Sequence, residues 1–396
     1  MLVLILGGLG GGAGGAKRVG AQETTPGEQT APRVAVPTPP KPNAEAWVLA
    51  DANSGLYLSG ENPDEQLPIG SITKIMTALE VLDEGVDPDE EVIVPKEAED
   101  YVGNVYSNIG LIAGERLTVR DLLEAALIPS GTDAAYTLAE EFGDGSVTNF
   151  VDKMNARASS LGLENTHFDT PAGLDSPENY SSARDLAILT QAALKNSLFA
   201  QIVDTKDATV STQNRQIDIH NTNELLSTYP KATGVKTGTT PEAGANLVAS
   251  ADDGSASYIA VVLDDGEDPE RFQDARSILD YAFNSYKPQT LVSRDEVYDE
   301  EHLPYRRGES VELIAKQDVA APTNAGSQVE RRVTTEELPS KAEAGQELGE
   351  VEVFVDGQSA GSSPLVAQEG YEEATLGEKA WYYSIGWVWD RVSQLL

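Results

Sequence analysis

The sequence predicts an α+β fold: a mainly antiparallel sheet with helices packed on it, followed by a small all-β domain. Three observations point there. An alternating, hairpin-like start leads into a block of helical stripes. Three strand-like runs and one closing helix follow that block. From about Leu291 the stripes give way to short alternating segments. The 396 residues, 40% of them hydrophobic, suffice for two domains with a sizeable core.

Residues 1–21 hold a short apolar run, then small residues, with Val19-Gly20-Ala21 as a small-x-small cleavage site. They read as an export signal or its remnant, too short and glycine-rich for a membrane span. Residues 22–43 are polar and proline-rich, an extended linker. The main domain is expected over 44–287. It opens with "AWVLADANSGLYLSGENPDEQLP", a hairpin reversing at Asn53-Ser54-Gly55. Ile72, Ile75, Met76, Leu79 and Leu82 then form one apolar stripe at helical spacing. "VRDLLEAALI", "DAAYTLAEEF", "TNFVDKMNARASSLGL" and "SARDLAILTQAAL" also read as helices. Thr233–Lys236, "ANLVASA" and "SYIAVVLDD" read as strands, and "FQDARSILDYAFNSY" as the closing helix. The β domain is expected over 288–374, where "VEVFVDGQ" ends in an Asp-Gly hairpin signal. Residues 375–396 return to helical spacing. Trp381, Ile385, Val388, Val392 and Leu395 share one face of an amphipathic tail, read either as a membrane-surface contact or as a helix that packs on protein.

The net charge of -37 repels phosphate backbones and excludes wholesale nucleic-acid binding. With no cysteine in the chain, disulfides, thiolate metal sites and thiol nucleophiles are excluded too.

Chemistry concentrates in "PIGSITKIMTALEVLDE". Ser71 and Lys74 stand three apart at the front of a helix, so both side chains lie on one face. A serine hydroxyl needs a neighbouring base to become a nucleophile, and a lysine serves only if its pKa is lowered by burial or by a second cation. Alone, a Ser-x-x-Lys pair is a weak signal. Two later segments supply what it lacks. Ser130-Gly131-Thr132 lies in the bend between two helices, and Lys236-Thr237-Gly238 lies on a strand. Lys236 is expected to depress the Lys74 pKa and to hold an anionic group, Ser130 to relay a proton, and Gly238 to let a substrate backbone lie close.

With these motifs in this order, the sequence resembles the penicillin-binding proteins and serine β-lactamases. The stretches around Ala46–Glu80, "MNARASSLGLENTHFDTPAGLDSPENYSSARDLA" and "KTGTTPEAGANLVASA" are similar to the low-molecular-mass D-alanyl-D-alanine carboxypeptidases. The resemblance covers roughly Ala46 to Tyr286 and continues more weakly into the β segment and the tail. It implies a β-lactamase/transpeptidase-like domain with Ser71 as acylated nucleophile, Lys74 as general base and Ser130 as the second-motif serine. Thr132, Lys236, Thr237, Gly238 and Thr239 would line the substrate site. The backbone N–H groups of Ser71 and Thr239 would form an oxyanion hole, and Arg271 would help to bind the terminal carboxylate. No metal or cofactor is required. The implied ligands are peptidoglycan stem peptides ending in D-Ala-D-Ala, and β-lactams. The implied address is outside the cytoplasm, secreted or in the cell envelope.

One departure stands out: Thr132 replaces the family's usual Asn, exchanging a long amide for a short hydroxyl. The alternatives are a serine β-lactamase, a DD-endopeptidase and, from another class, a non-catalytic wall-binding protein on the same fold. Ser107-Asn108 is expected in a loop at the cleft edge. His167, His220 and His302 lack metal-ligand spacing, and the acidic run from Asp264 lacks an EF-hand pattern and reads as a solvated loop.

Overall fold

A computed structural model describes residues 37–102, 106–266 and 269–383. The export-signal reading, the first part of the proline-rich segment and the tail positions Ile385, Val388, Val392 and Leu395 lie outside the described residues.

The expected hairpin forms from strands Ala46–Asp51 and Tyr57–Glu61, with Gly55 at φ +76°. Asp51 closes the turn by accepting from both the backbone N and the hydroxyl of Ser54. These strands join Ser257–Leu263, Gly244–Asp252 and Ala232–Thr240 in one antiparallel five-stranded sheet. The two edges are Tyr57–Glu61 and Ala232–Thr240. Both faces of the sheet are covered, which is why its inner strands read as nearly continuous apolar runs.

Alternation along the strands sorts the side chains onto the two faces. Trp47, Leu49, Leu247, Ala249, Tyr258 and Val262 pack with Ala275, Ile278, Leu279 and Ala282 of the closing helix Glu270–Ser285. Val48, Ala50, Val248, Ile259 and Val261 pack on the opposite side into the helical block.

That block holds α1 (Lys74–Asp83), α2 (Val119–Leu127), α3 (Thr132–Phe142), α4 (Val147–Ser160) and α5 (Ala183–Leu194). Thr118, Ser146 and Ser182 cap α2, α4 and α5 by accepting a backbone N–H three residues on. Helix α1 differs from the single stripe its spacing suggests. It is buried on nearly every side, so Lys74, Thr77 and Glu80 are inside as well as Ile75 and Leu79. Two further helices, α6 (Ser197–Val203) and α7 (Leu225–Thr228), and a hairpin of Asp207–Ser211 with Gln216–His220 complete this part.

The β segment forms a second five-stranded antiparallel sheet. Its order is Val297–His302, Ser310–Ala315, Gln358–Ala367, Glu347–Val355, Val329–Thr335. Asp356 and Gly357, both at positive φ, make the expected hairpin turn. Leu56 of the first hairpin packs into the core of this lobe, beside Val292, Leu313, Val351 and Leu365. Residues 376–383 are helical, with Trp381, Tyr382 and Tyr383 exposed. Among the described residues no single helix is long and apolar enough to cross a membrane.

Candidate active site

Ser71 sits in a 3₁₀ turn, Gly70–Thr73, that runs directly into α1. The turn is pressed against the edge strand Ala232–Thr240 with backbone on backbone. Gly70 adopts φ +54°, which favours glycine, and a β-carbon there would stand a tight 3.3 Å from Thr239 N. A β-carbon on Gly238 would overlap Ile69 O and lie 2.9 Å from Ile72 Cγ1. The missing side chain of Gly238 thus makes room for the chain's own turn, where the sequence suggested room for a ligand backbone.

Lys74 is fully buried, 0% exposed. Its Nζ donates to Ser71 Oγ at 2.8 Å and to Ala172 O at 3.0 Å. Burial lowers its pKa from the ordinary 10.5 to about 7, against an upward pull from Asp133. Lys236 is also buried, with Nζ donating to Thr237 O at 2.9 Å. Its pKa is pushed well down by burial first, then by repulsion from Lys74 and Arg271. At Lys74 loss of water is the leading cause; repulsion between two buried ammonium groups is mutual, and it adds to the lowering of Lys236.

The segment Asp169–Asn179 straps this arrangement down, a role its sequence did not announce. Thr77 Oγ1 donates to Pro171 O at 2.5 Å, and Asn179 Nδ2 to Thr73 Oγ1 at 3.1 Å. Gly173, at φ +76°, lies so close to Gly70 O that no side chain fits. The signals were there in principle: a glycine at a left-handed position and a buried asparagine.

Ser130 is 4% exposed and held at φ +67°, a left-handed conformation unusual for a residue with a side chain. Thr132, the first residue of α3, is 2% exposed, and its backbone N donates to Ser107 O at 2.8 Å. This puts Ser107 and Asn108 beside the second motif. Thr237 Oγ1 shares a 2.6 Å hydrogen bond with Thr222 Oγ1. Arg271, from the first turn of the closing helix, reaches the edge strand. Its Nη1 donates to Thr239 Oγ1 at 2.7 Å, Asn246 O at 3.2 Å and Gly238 O at 3.3 Å. The turn that carries Ser71 and the strand that carries Lys236 thus meet backbone on backbone, and Lys236 lies close enough to Lys74 and Arg271 to be repelled by both.

The histidines stand apart from it. His167 Nδ1 pairs with Glu178 O at 2.6 Å, and His220 Nδ1 with Asp207 Oδ1 at 2.6 Å. Among the described residues no group of three or more His, Asp or Glu side chains is placed to hold a metal.

Residues 33–267 match the family model of D-alanyl-D-alanine carboxypeptidases. The chain belongs to the D-alanyl-D-alanine carboxypeptidase family. Residues 286–373 match the model of the penicillin-binding protein 5 C-terminal domain. The carboxypeptidase DacF of Bacillus subtilis (strain 168) is 34% identical over 340 residues, 84% of this chain and 86% of the relative. The D-alanyl-D-alanine carboxypeptidase of Streptomyces sp. (strain K15) is 42% identical over 243 residues, 58% of this chain and 84% of that protein. Among solved structures, penicillin binding protein 5 from Haemophilus influenzae shares 32% identity at a TM-score of 0.70, covering 85% of this chain and 99% of its own. The Streptomyces K15 DD-transpeptidase structure shares 41% identity at a TM-score of 0.60, covering 62% of this chain and 99% of that one. Like the first of these two structures, this member of the carboxypeptidase family pairs a penicillin-binding fold with a C-terminal β lobe.

Proposed function

We propose that this chain is a serine-type D-Ala-D-Ala carboxypeptidase that trims peptidoglycan stem peptides through an acyl-enzyme and is acylated by penicillins. The observation that carries this reading is the 2.8 Å contact between Ser71 Oγ and the fully buried amine of Lys74. A lysine with a pKa of about 7 is neutral often enough near neutral pH to accept a proton. The contact then reverses its polarity: the Ser71 hydroxyl donates to Nζ, while Nζ still donates to Ala172 O.

Ser71 Oγ attacks the carbonyl between the two terminal D-alanines. The Ser71 and Thr239 backbone N–H groups stabilise the oxyanion. The C–N bond breaks, and the leaving D-Ala takes the proton held by Lys74, relayed by Ser130. Water, giving its proton to the same base, hydrolyses the ester. Thr132, Lys236, Thr237, Gly238, Thr239 and Arg271 form the binding side of the cleft, with the two cations favouring a free carboxylate. The strand Ala232–Thr240 ends its sheet, and an extended peptide could lie along that edge. The catalytic domain is assigned to 44–287 and the β domain to 288–374. The enzyme works at the cell envelope, where its substrate is, with residues 1–21 as export signal and 375–396 as a peripheral membrane contact.

The test is intact mass after incubation with penicillin, on wild type and on Ser71→Ala. A long-lived adduct on wild type alone is expected. Loss of the adduct within seconds would indicate a β-lactamase instead. No adduct on either protein would overturn the mechanism and leave a wall-binding protein.

A further inference from the structure

The carboxylate of Asp133 is 0% exposed and lies two residues before Ala135, at the start of α3. Among the described residues it takes hydrogen bonds from three backbone donors. Ile109 N reaches Oδ2 at 3.1 Å and Oδ1 at 3.3 Å, Leu111 N reaches Oδ2 at 3.0 Å, and Ala134 N reaches Oδ1 at 3.0 Å. Two of those donors belong to the loop that also accepts Thr132 N at Ser107 O. The far side of the loop is braced by Arg215. Its Nη2 donates to Gly110 O at 2.5 Å, while its guanidinium grips Glu115 at 2.8 and 2.9 Å. A buried carboxylate is costly unless its acceptors are filled and its charge is answered. The backbone donors fill the acceptors, and the helix N-terminus favours the charge.

We propose that Asp133 is a positioning residue for acylation: it clamps the Ser107–Leu111 loop as a wall of the cleft and sets its buried negative charge against the cation of Lys74. This rests on the reading of Ser71 as nucleophile and Lys74 as base. Supporting it, Asp133 raises the Lys74 pKa against the effect of burial, and raises that of Arg215 as well. The charged groups acting around the base are Asp133 from α3 and Lys236 from the edge strand, with Arg271 beyond Lys236. Asp133 is the anion among them. All three partners of its carboxylate are donors, so an amide cannot replace it. The NH₂ of an asparagine would face an N–H wherever it turned.

The experiment measures the penicillin acylation rate against pH for wild type, Asp133→Asn and Asp133→Glu. Asp133→Asn removes both loop clamp and charge. Its rate at the plateau is expected to fall at least tenfold, and its acid limb to move roughly one unit towards lower pH, because Lys74 sheds its proton more easily without the anion. Asp133→Glu keeps the charge and displaces the acceptors, so its rate falls with the limb near the wild-type position. A slower Asp133→Asn whose limb stays in place would overturn the charge role, and an unchanged rate would overturn the clamp. Hydrogen exchange on the wild type keeps the proposal testable should the variants not fold. The Ile109 and Leu111 amides are expected to exchange as slowly as those of α3, and fast exchange would overturn the clamp. Failure of the underlying reading is distinct: wild type itself would then form no Ser71 adduct.

Discussion

The α-carbon of Gly238 faces the carbonyl oxygen of Ile69 so closely that a β-carbon there would overlap it. The obstacle is backbone, part of the turn that carries Ser71, and cannot swing aside. Gly238→Ala is therefore expected to push the turn off the edge strand. A cost of about 1–3 kcal/mol in stability is expected from overpacking, with a larger proportional loss in acylation because Ser71 moves with the turn. Urea unfolding and penicillin mass labelling on the same preparation check both. Wild-type labelling in Gly238→Ala would show that the turn does not depend on the strand.

The low pKa of Lys74 gives a pH dependence with a definite sign. The neutral amine is the base, so acylation should rise with pH, fall about tenfold per unit below pH 7 and level off above it. Stability moves the same way. The folded pKa, about 7, lies below the ordinary 10.5, so the unfolded chain holds more protons between these values and stability increases with pH there. The cost of burying the charge is complete below pH 7 and fades towards 10.5. Lys74→Met should label at least about 10²-fold more slowly. It should also melt higher than wild type at pH 6, by roughly 1–3 kcal/mol, with the difference shrinking by pH 9. Thermal melts at the two pH values test this.

Ser130 adopts φ +67°, where a glycine would rest without strain. Ser130→Gly and Ser130→Ala both delete the hydroxyl and should slow acylation alike. They should separate in stability: glycine is expected to be the more stable by about 1 kcal/mol, the cost of a left-handed conformation for a residue with a β-carbon. Equal melting of the two would mean that the backbone there relaxes.

The two lobes share apolar contacts. Leu56 lies in the β-lobe core, and Gln358 Nε2 of that lobe donates to Tyr57 O at 3.1 Å across the same seam. Leu56→Ala should therefore cost about 2–4 kcal/mol and lower the melting of both lobes together. Calorimetry would read this as one displaced transition, whereas independent lobes would give a shift in only one of two peaks.

Much of this fold was legible because its signals are local. Stripes such as Ile72, Ile75 and Leu79, the Asp356-Gly357 turn and the apolar strand Ser257–Leu263 declare their structure within a few residues. The hairpin Asp207–Ser211/Gln216–His220 was missed because Val210 and Ile219 are its only fully buried apolar side chains and its turn lacks glycine. Helix α7 spans four residues, too few for a period. At the site, Ser71, Lys74, Ser130 and Lys236 were named from chemistry and spacing. Ala172, Gly173 and Asp133 escaped because their contributions are a carbonyl, an absent side chain and a set of backbone acceptors. Such roles exist only once distant segments meet. The weight of burial at Lys74 was hidden for a related reason: burial on every side of α1 is a property of packing, and the sequence pattern suggested one buried face.

The main sheet has two edges, and the structure treats them differently. Along Tyr57–Glu61, Tyr57 O accepts from Gln358 Nε2 at 3.1 Å and Leu58 O from Tyr286 OH. Along Ala232–Thr240 the sheet ends beside the reactive serine. A ribbon stoppered at one end can be lengthened once and no further. Two copies meeting through their open edges would form a closed pair and could not seed a fibre. Each would also plug the other's cleft, so self-association by this route would be both finite in size and legible as lost activity.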